Sequence, residues 1–251
     1  MKLAIAGKGG SGKTSISGTM ARVLARSGHD VLAIDGDSNP NLAVTLGIPP
    51  AEMDSLPTLS SDLIRRGENG VELTSTLDAI FEGHGVLGPD GVKLLVMAHP
   101  RHAGTGCLCS VHATVSTVMQ EAANGPDEVV MLDTEASPEH LSRGTTMYAE
   151  TMLCVVEPYY KSLETGRRMA ALGVDLGLPR VALLANKIRD DRDLRADRRR
   201  RRRAASWRGR GDRLPSVPAS RTPIRLASAL FVLDARRAET SPCPDASSTS
   251  A

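Results

Sequence analysis

Aromatic side chains are nearly missing from this 251-residue sequence, which has two Phe, three Tyr and one Trp. A surface that binds single-stranded nucleic acid stacks bases on such rings, and this chain has too few to build one. Cysteine is scarce as well. Cys107, Cys109, Cys154 and Cys243 do not make a disulfide framework. No apolar run approaches the roughly 18 residues that a membrane-spanning helix needs. The opening Met1-Lys2-Leu3-Ala4-Ile5-Ala6 is too short for a signal-peptide core and runs straight into glycines. It reads as a first buried strand, and the expected location is the cytoplasm. Lysine disappears after residue 187. Residues 188–251 hold 16 Arg against 8 acidic residues, a net +8, whereas residues 1–187 hold 15 Lys and Arg against 21 Asp and Glu, a net −6. The two parts differ enough to predict one α/β domain over residues 1–190 and an Arg/Pro/Ser-rich tail over 191–251 that is poorly ordered.

Within the first part, short apolar runs alternate with helical spacing. Leu3–Ala6, Val31–Ile34, Val92–Met97, Val129–Leu132, Leu153–Val156 and Val181–Ala185 read as strands. Lys13–Arg26, His112–Ala123 and Ser162–Leu176 read as helices, the first ended by Gly28. Apolar, non-alternating strands joined by helices predict a parallel central sheet with helices on both faces. Ligands in such folds bind beyond the carboxyl ends of the strands, where Asp35, Asp133 and Asn186 fall.

The most specific motif is Gly7-Lys8-Gly9-Gly10-Ser11-Gly12-Lys13-Thr14, a full match to G-x-x-x-x-G-K-[ST] placed between a strand and a helix. Its glycines let backbone N–H groups turn inward onto phosphate oxygens, and the helix N-terminus adds partial positive charge. The cradle is expected to run over Gly9, Gly10, Ser11, Gly12, Lys13, Thr14 and Ser15. Lys13 reaches the β- and γ-phosphates, and the Thr14 hydroxyl holds Mg²⁺. Asp35-Gly36-Asp37-Ser38-Asn39-Pro40-Asn41 follows the second strand, and carboxylates beside a triphosphate require an intervening cation. Val129-Val130-Met131-Leu132-Asp133 ends an apolar strand in another carboxylate, expected to contact the Mg²⁺ shell through water.

Gly106-Cys107-Leu108-Cys109 is a second signal. Two thiolates are too few for a closed tetrahedral site, and a two-fold dimer would supply two more. Sulfur ligands suit Zn²⁺, square-planar Ni²⁺ or an Fe–S cluster. His99, His102 and His112 lie nearby, and each reads as an ordinary surface or core histidine.

The two-lysine loop G-K-G-G-S-G-K-T resembles that of the deviant P-loop ATPases, the family of the nitrogenase iron protein, MinD and ParA. The resemblance implies that Lys8 crosses a dimer interface to the partner's nucleotide, that Asp37 orients the attacking water, that Asp35 is a Mg²⁺-side group and that Asn186 reads the base edge. With D-G-D-S-N-P-N-L, G-C-L-C, the Asp133–Thr145 stretch, Val156-Glu157-Pro158 and Ser162-Leu163-Glu164-Thr165, residues 1–190 resemble more closely the CooC ATPases, maturation factors of nickel carbon monoxide dehydrogenase. That implies an ATPase using ATP and Mg²⁺, with Lys8, Lys13 and Asp37 in catalysis. It also implies a homodimer sharing Ni²⁺ or Zn²⁺ between paired Cys107 and Cys109, and the carbon monoxide dehydrogenase apo-enzyme as client. Membrane and nucleic-acid partners are not expected. The competing readings are a positioning or partitioning ATPase of the MinD and ParA type, which needs a terminal amphipathic helix or basic face, and an Fe–S reductase resembling the nitrogenase iron protein. Past Asn186-Lys187 the family continues with further strand and helix. Here six consecutive arginines, Arg198 to Arg203, lead into Arg, Pro, Ser and Ala, and Leu226 to Leu233 is the one stretch suited to a core. That composition fits a reading-frame shift near codon 190 in GC-rich DNA.

Overall fold

The structure is a computed structural model that describes residues 1–68, 70–97, 109–189 and 229–233; for Cys109 and residues 229–233 it describes the backbone. The apolar runs become strands: β1 (Lys2–Gly7), β2 (Asp30–Gly36), β6 (Lys93–Val96), β7 (Glu128–Thr134), β8 (Thr151–Val156) and β9 (Arg180–Ala185). These six pair in parallel in the order β9-β8-β1-β7-β2-β6. Both edges of the sheet depart from the all-parallel expectation. β5 (Gly85–Leu87) adds antiparallel to β6, and β10 (Ala229–Leu233) adds antiparallel to β9. A short antiparallel segment needs no crossover helix, so it can close an edge that a βαβ unit would leave open. β10 falls inside the one stretch of the tail that the sequence marks as core-like; the remaining tail residues from Asp190 onward lie outside the described residues.

Helices cover both faces. On one, α1 (Lys13–Arg26) packs with the short α2 (Leu42–Leu46), burying Ile16, Ala21, Leu42 and Leu46 against Leu3, Ile5 and Val129. Close approach of α1 to α2 requires Gly18, because a Cβ there would meet the Thr45 side chain at 2.6 Å. On the other face lie α3 (Leu77–His84), α4 (Cys109–Glu121) and α6 (Tyr160–Asp175), with Ile80, Val115, Met119 and Met169 buried against Ala4, Val130 and Met152. A hairpin of β3 (Ile64–Gly67) and β4 (Gly70–Leu73) lies against α4. It and the short α5 (Glu139–Ser142) are polar or brief enough to carry no periodic signal. α4 starts at Cys109, three residues before the spacing predicts, so the cysteine motif runs into a helix N-terminus.

Cys154 sits at the centre of the sheet on β8, opposite Ala6 of β1, and burial pushes its thiol up to about 12. Among the described residues no helix is long and apolar enough to cross a membrane.

Candidate functional site

Among the described residues, the motifs expected at a nucleotide lie at the carboxyl edge of the parallel strands. The Gly7–Gly12 loop joins β1 to α1, Asp37–Asn41 joins β2 to α2, and Glu135–Pro138 joins β7 to α5. Glu157 follows β8, and Asn186 follows β9. Strand order puts β1 between β8 and β7, so the glycine loop is flanked on both sides by the other loops.

Two glycines in the loop are required by contact. Gly7 has φ +151°, and a Cβ would run into the Val155 carbonyl and the Ser11 hydroxyl. Gly12 has φ +95° and its open α-carbon faces the Asn186 amide. The Asn186 side chain donates to the Ser11 carbonyl at 2.8 Å, and Lys187 Nζ donates to the Gly10 carbonyl at 2.6 Å while pairing with Glu157 at 2.9 Å. Asn186, expected at the base edge, thus donates to the loop itself, and with Lys187 it binds two loop carbonyls, while the Ser11 N–H closes the loop on the Lys8 carbonyl at 3.1 Å.

Lys13 is only 6 % exposed. Burial pulls its pKa below the ordinary value, and Asp133, Asp37 and Glu135 oppose that shift. Asp133 is equally buried. Ser17 Oγ donates to its Oδ1 at 3.0 Å and the Thr14 hydroxyl also bonds to it. Burial nevertheless raises Asp133 to about 6. Thr14 and Asp133, both expected on Mg²⁺, are thus brought together from α1 and β7. An oxygen donor set that holds a carboxylate above its usual range suits a hard divalent cation, which would restore the ionised form.

Asp35 stands directly across from Asp133 in the β2–β7 pairing and has no exposed surface. Burial raises it to about 7, although its oxygens accept three backbone N–H groups: Asp37 at 3.2 Å, Asn41 at 2.9 Å and Leu42 at 2.8 Å. Both oxygens are occupied by the loop that carries Asp37. Asp37 is half-buried, accepts from the Asn39 N–H at 2.9 Å, and is close enough to Lys13, Asp133 and Glu135 to affect each. Ser15 begins the exposed side of α1.

Lys8 lies on the opposite side of the loop. Its ammonium is 5.8 Å from the centre of the Tyr159 ring, within cation–π range, and it lowers the pKa of Glu157. Burial pushes Glu157 up, but hydrogen bonds from Lys187 and Tyr159 outweigh it and leave the group below its usual range. Cys107 lies outside the described residues, as do His99 and His102; Cys109 is the first residue of α4. His112 is a buried core histidine.

Sequence reasoning passed over Glu135. It sits two residues beyond Asp133 and bonds to Ser38, joining the loop after β7 to the loop after β2; burial and then Asp37 raise its pKa. Its signal was its place, a second carboxylate just past a strand end that already carries one.

A family model for the CobQ/CobB/MinD/ParA nucleotide binding domain matches residues 2–219. The chain belongs to this family. Membership makes it a P-loop ATPase with the MinD-like fold. Among relatives in the family, it is 36% identical over 203 residues to the carbon monoxide dehydrogenase accessory protein CooC of Rhodospirillum rubrum, covering 75% of this chain and 74% of that protein. It is also 36% identical over 208 residues to an uncharacterized ATP-binding protein of Methanocaldococcus jannaschii, covering 78% and 79%. The cell division ATPase MinD of Pyrococcus furiosus has the same fold, with a TM-score of 0.56 at 19% identity over 79% of this chain and 78% of that one. So does cobyrinic acid a,c-diamide synthase from Mycobacterium smegmatis with bound ADP and magnesium, with a TM-score of 0.57 at 18% identity over 88% and 87%.

Proposed function

We propose that this family member is an ATP-hydrolysing metallochaperone that dimerises with nucleotide and delivers nickel to carbon monoxide dehydrogenase. The observation that carries the reading is the separation of the two loop lysines. Lys13 is buried among the carboxylates, whereas the Lys8 side chain is half-buried with its ammonium over the Tyr159 ring and beside Glu157. A cation at the rim can reach a nucleotide on a facing copy. The C-x-C motif whose second cysteine begins α4 and the 36% identity to a carbon monoxide dehydrogenase accessory protein support the choice of metal and client.

In this reading the loop N–H groups and Lys13 bind the β- and γ-phosphates of ATP. Thr14 and Asp133 hold Mg²⁺, which neutralises phosphate charge. Asp35 fixes the Asp37 loop, and Asp37 orients the water that attacks the γ-phosphorus. The bond to the β,γ-bridging oxygen breaks, leaving ADP and phosphate. Catalysis is positioning and charge stabilisation, supplied by Lys13 and by Lys8 of a facing copy. Cys107 and Cys109 from two copies give four thiolates for one metal. Nucleotide and metal each favour the dimer, so each strengthens the other's binding. The test is metal content and native mass with and without a non-hydrolysable ATP analogue. A nucleotide-dependent doubling of mass with one bound metal per two chains is expected. A monomer under both conditions overturns the reading.

Asp133 must be ionised to serve its cation, and its raised pKa sets where that fails. At Mg²⁺ too low to saturate the site, hydrolysis is expected to fall as the pH drops through about 6, with Mg²⁺ affinity declining by roughly tenfold per pH unit below that point. Mg²⁺ titrations across that range check it, and an affinity that stays level into acid contradicts the assignment.

A further inference from the structure

His112 and His140 take no part in the nucleotide site, yet they are 4 % and 1 % exposed and their rings meet edge to face with centroids 4.6 Å apart. They belong to different elements. His112 lies on α4, three residues after Cys109, and His140 lies on α5, just past the Asp133–Pro138 stretch. Each is anchored at one ring nitrogen. His112 Nδ1 is 3.1 Å from the Thr145 hydroxyl. His140 Nε2 is 2.6 Å from the Gly36 carbonyl oxygen and donates to it.

That carbonyl belongs to the Gly36–Asp37 peptide. The N–H of the same peptide, on Asp37, donates to Asp35. The plane that presents Asp37 is therefore held at both ends, by Asp35 on one side and His140 on the other. There is no slack at the joint. A Cβ on residue 36 would lie 2.8 Å from His140 Cε1 and 3.0 Å from the Asp133 carbonyl oxygen. Burial lowers the pKa of both rings, that of His140 to about 4, so His140 is neutral near pH 7. The other nitrogen of His140, Nδ1, is then a lone-pair acceptor, buried and without a hydrogen-bond partner among the described residues. An unpaired buried acceptor is costly, so a displaced α5 that supplied a donor would be a competitive second arrangement.

We propose that the His112–His140 pair is a positioning device that couples the Gly36–Asp37 peptide to the first turn of α4, and through it to the Cys107–Cys109 pair. The inference rests on the metallochaperone reading. When the Asp37 loop responds to nucleotide, His140 follows the carbonyl it holds, its ring displaces His112, and the start of α4 moves. By reciprocity, metal at the cysteines biases Asp37.

The test measures zinc affinity of the full chain by competition with a chromophoric chelator, with and without Mg²⁺ and a non-hydrolysable ATP analogue. The wild type is expected to change zinc affinity by about tenfold on nucleotide binding, within the usual span of site–site coupling. His140→Leu removes the donor to Gly36, and Thr145→Val removes the anchor of His112 with little change in shape. Both are expected to lower the ratio by about threefold or more, to the part that nucleotide-driven dimerisation supplies, leaving nucleotide-free zinc affinity and the nucleotide-dependent native mass as in the wild type. Should His140→Leu fail to fold by circular dichroism, Thr145→Val decides alone. A ratio unchanged from the wild type in the folded variants overturns this inference and leaves the metallochaperone reading standing. Variants that also lose nucleotide-free zinc binding overturn it too, because the histidines then merely support the cysteines. A wild type with equal zinc affinity in both states overturns both.

Discussion

Lys8→Ala is expected to lower ATP hydrolysis by about a thousandfold while each chain still binds nucleotide, the scale of effect seen when a cation supplied by a partner is removed from a phosphoryl-transfer site. The structure explains why binding survives. Lys13, the lysine proposed to bind the phosphates, sits buried beside Asp133 and Asp37, while Lys8 rests over Tyr159 near Glu157. Its contacts within the chain are at the surface, so alanine there costs little stability. Lys13→Ala is the contrasting change, since it removes the buried lysine beside Asp133 and is expected to weaken nucleotide binding itself. Steady-state phosphate release, together with nucleotide affinity at concentrations too low for dimerisation, separates the two lysines. Hydrolysis by Lys8→Ala at the wild-type rate would remove the role given to Lys8.

Replacing Cys107 and Cys109 together by alanine is expected to take bound metal from about one per two chains to none, because a closed sulfur site needs four ligands and each copy offers two at this motif. Monomeric nucleotide binding is expected to stay intact. The glycine loop, Lys13 and Asp133 depend on β1, α1 and β7, none of which includes α4. The dimer formed with nucleotide should weaken, since metal no longer adds to it. Metal analysis after dialysis, with nucleotide titration on the same sample, gives both readouts. Nickel or zinc at wild-type stoichiometry in the double variant would dismiss the shared-site idea.

The phosphate loop, the carboxylates at strand ends and the parallel order of the central strands were legible because each is a local pattern with one physical use. The G-x-x-x-x-G-K-T run needs only its flanking strand and helix to be read. What the sequence hid depends on distant contacts. Asn186 looks like a ligand-facing amide at a strand end, but its partner is the Ser11 carbonyl, 175 residues away in the chain. Asp35 reads as a cation ligand until the loop folds back and both of its oxygens take backbone N–H groups. His140 carried no signal, because a lone histidine in a polar stretch reveals nothing of the glycine carbonyl and second histidine it will meet. The antiparallel edges were missed for a different reason. Gly85–Leu87 is three residues long, below what periodicity can register, and Ala229–Leu233 stands in sequence unlike the domain it joins.

Cys154 is a thiol that the fold keeps out of reach of metals and electrophiles. At neutral pH a thiol held near 12 is ionised only about once in 10⁵ molecules, and metals and electrophiles react with the thiolate. The sulfur one residue from the phosphate loop in the β1–β8 pairing is therefore chemically silent. Mild alkylating reagents should spare this position while the fold holds. Its modification would then serve as a clock for unfolding of the nucleotide domain, read from a residue that takes no part in what the domain does.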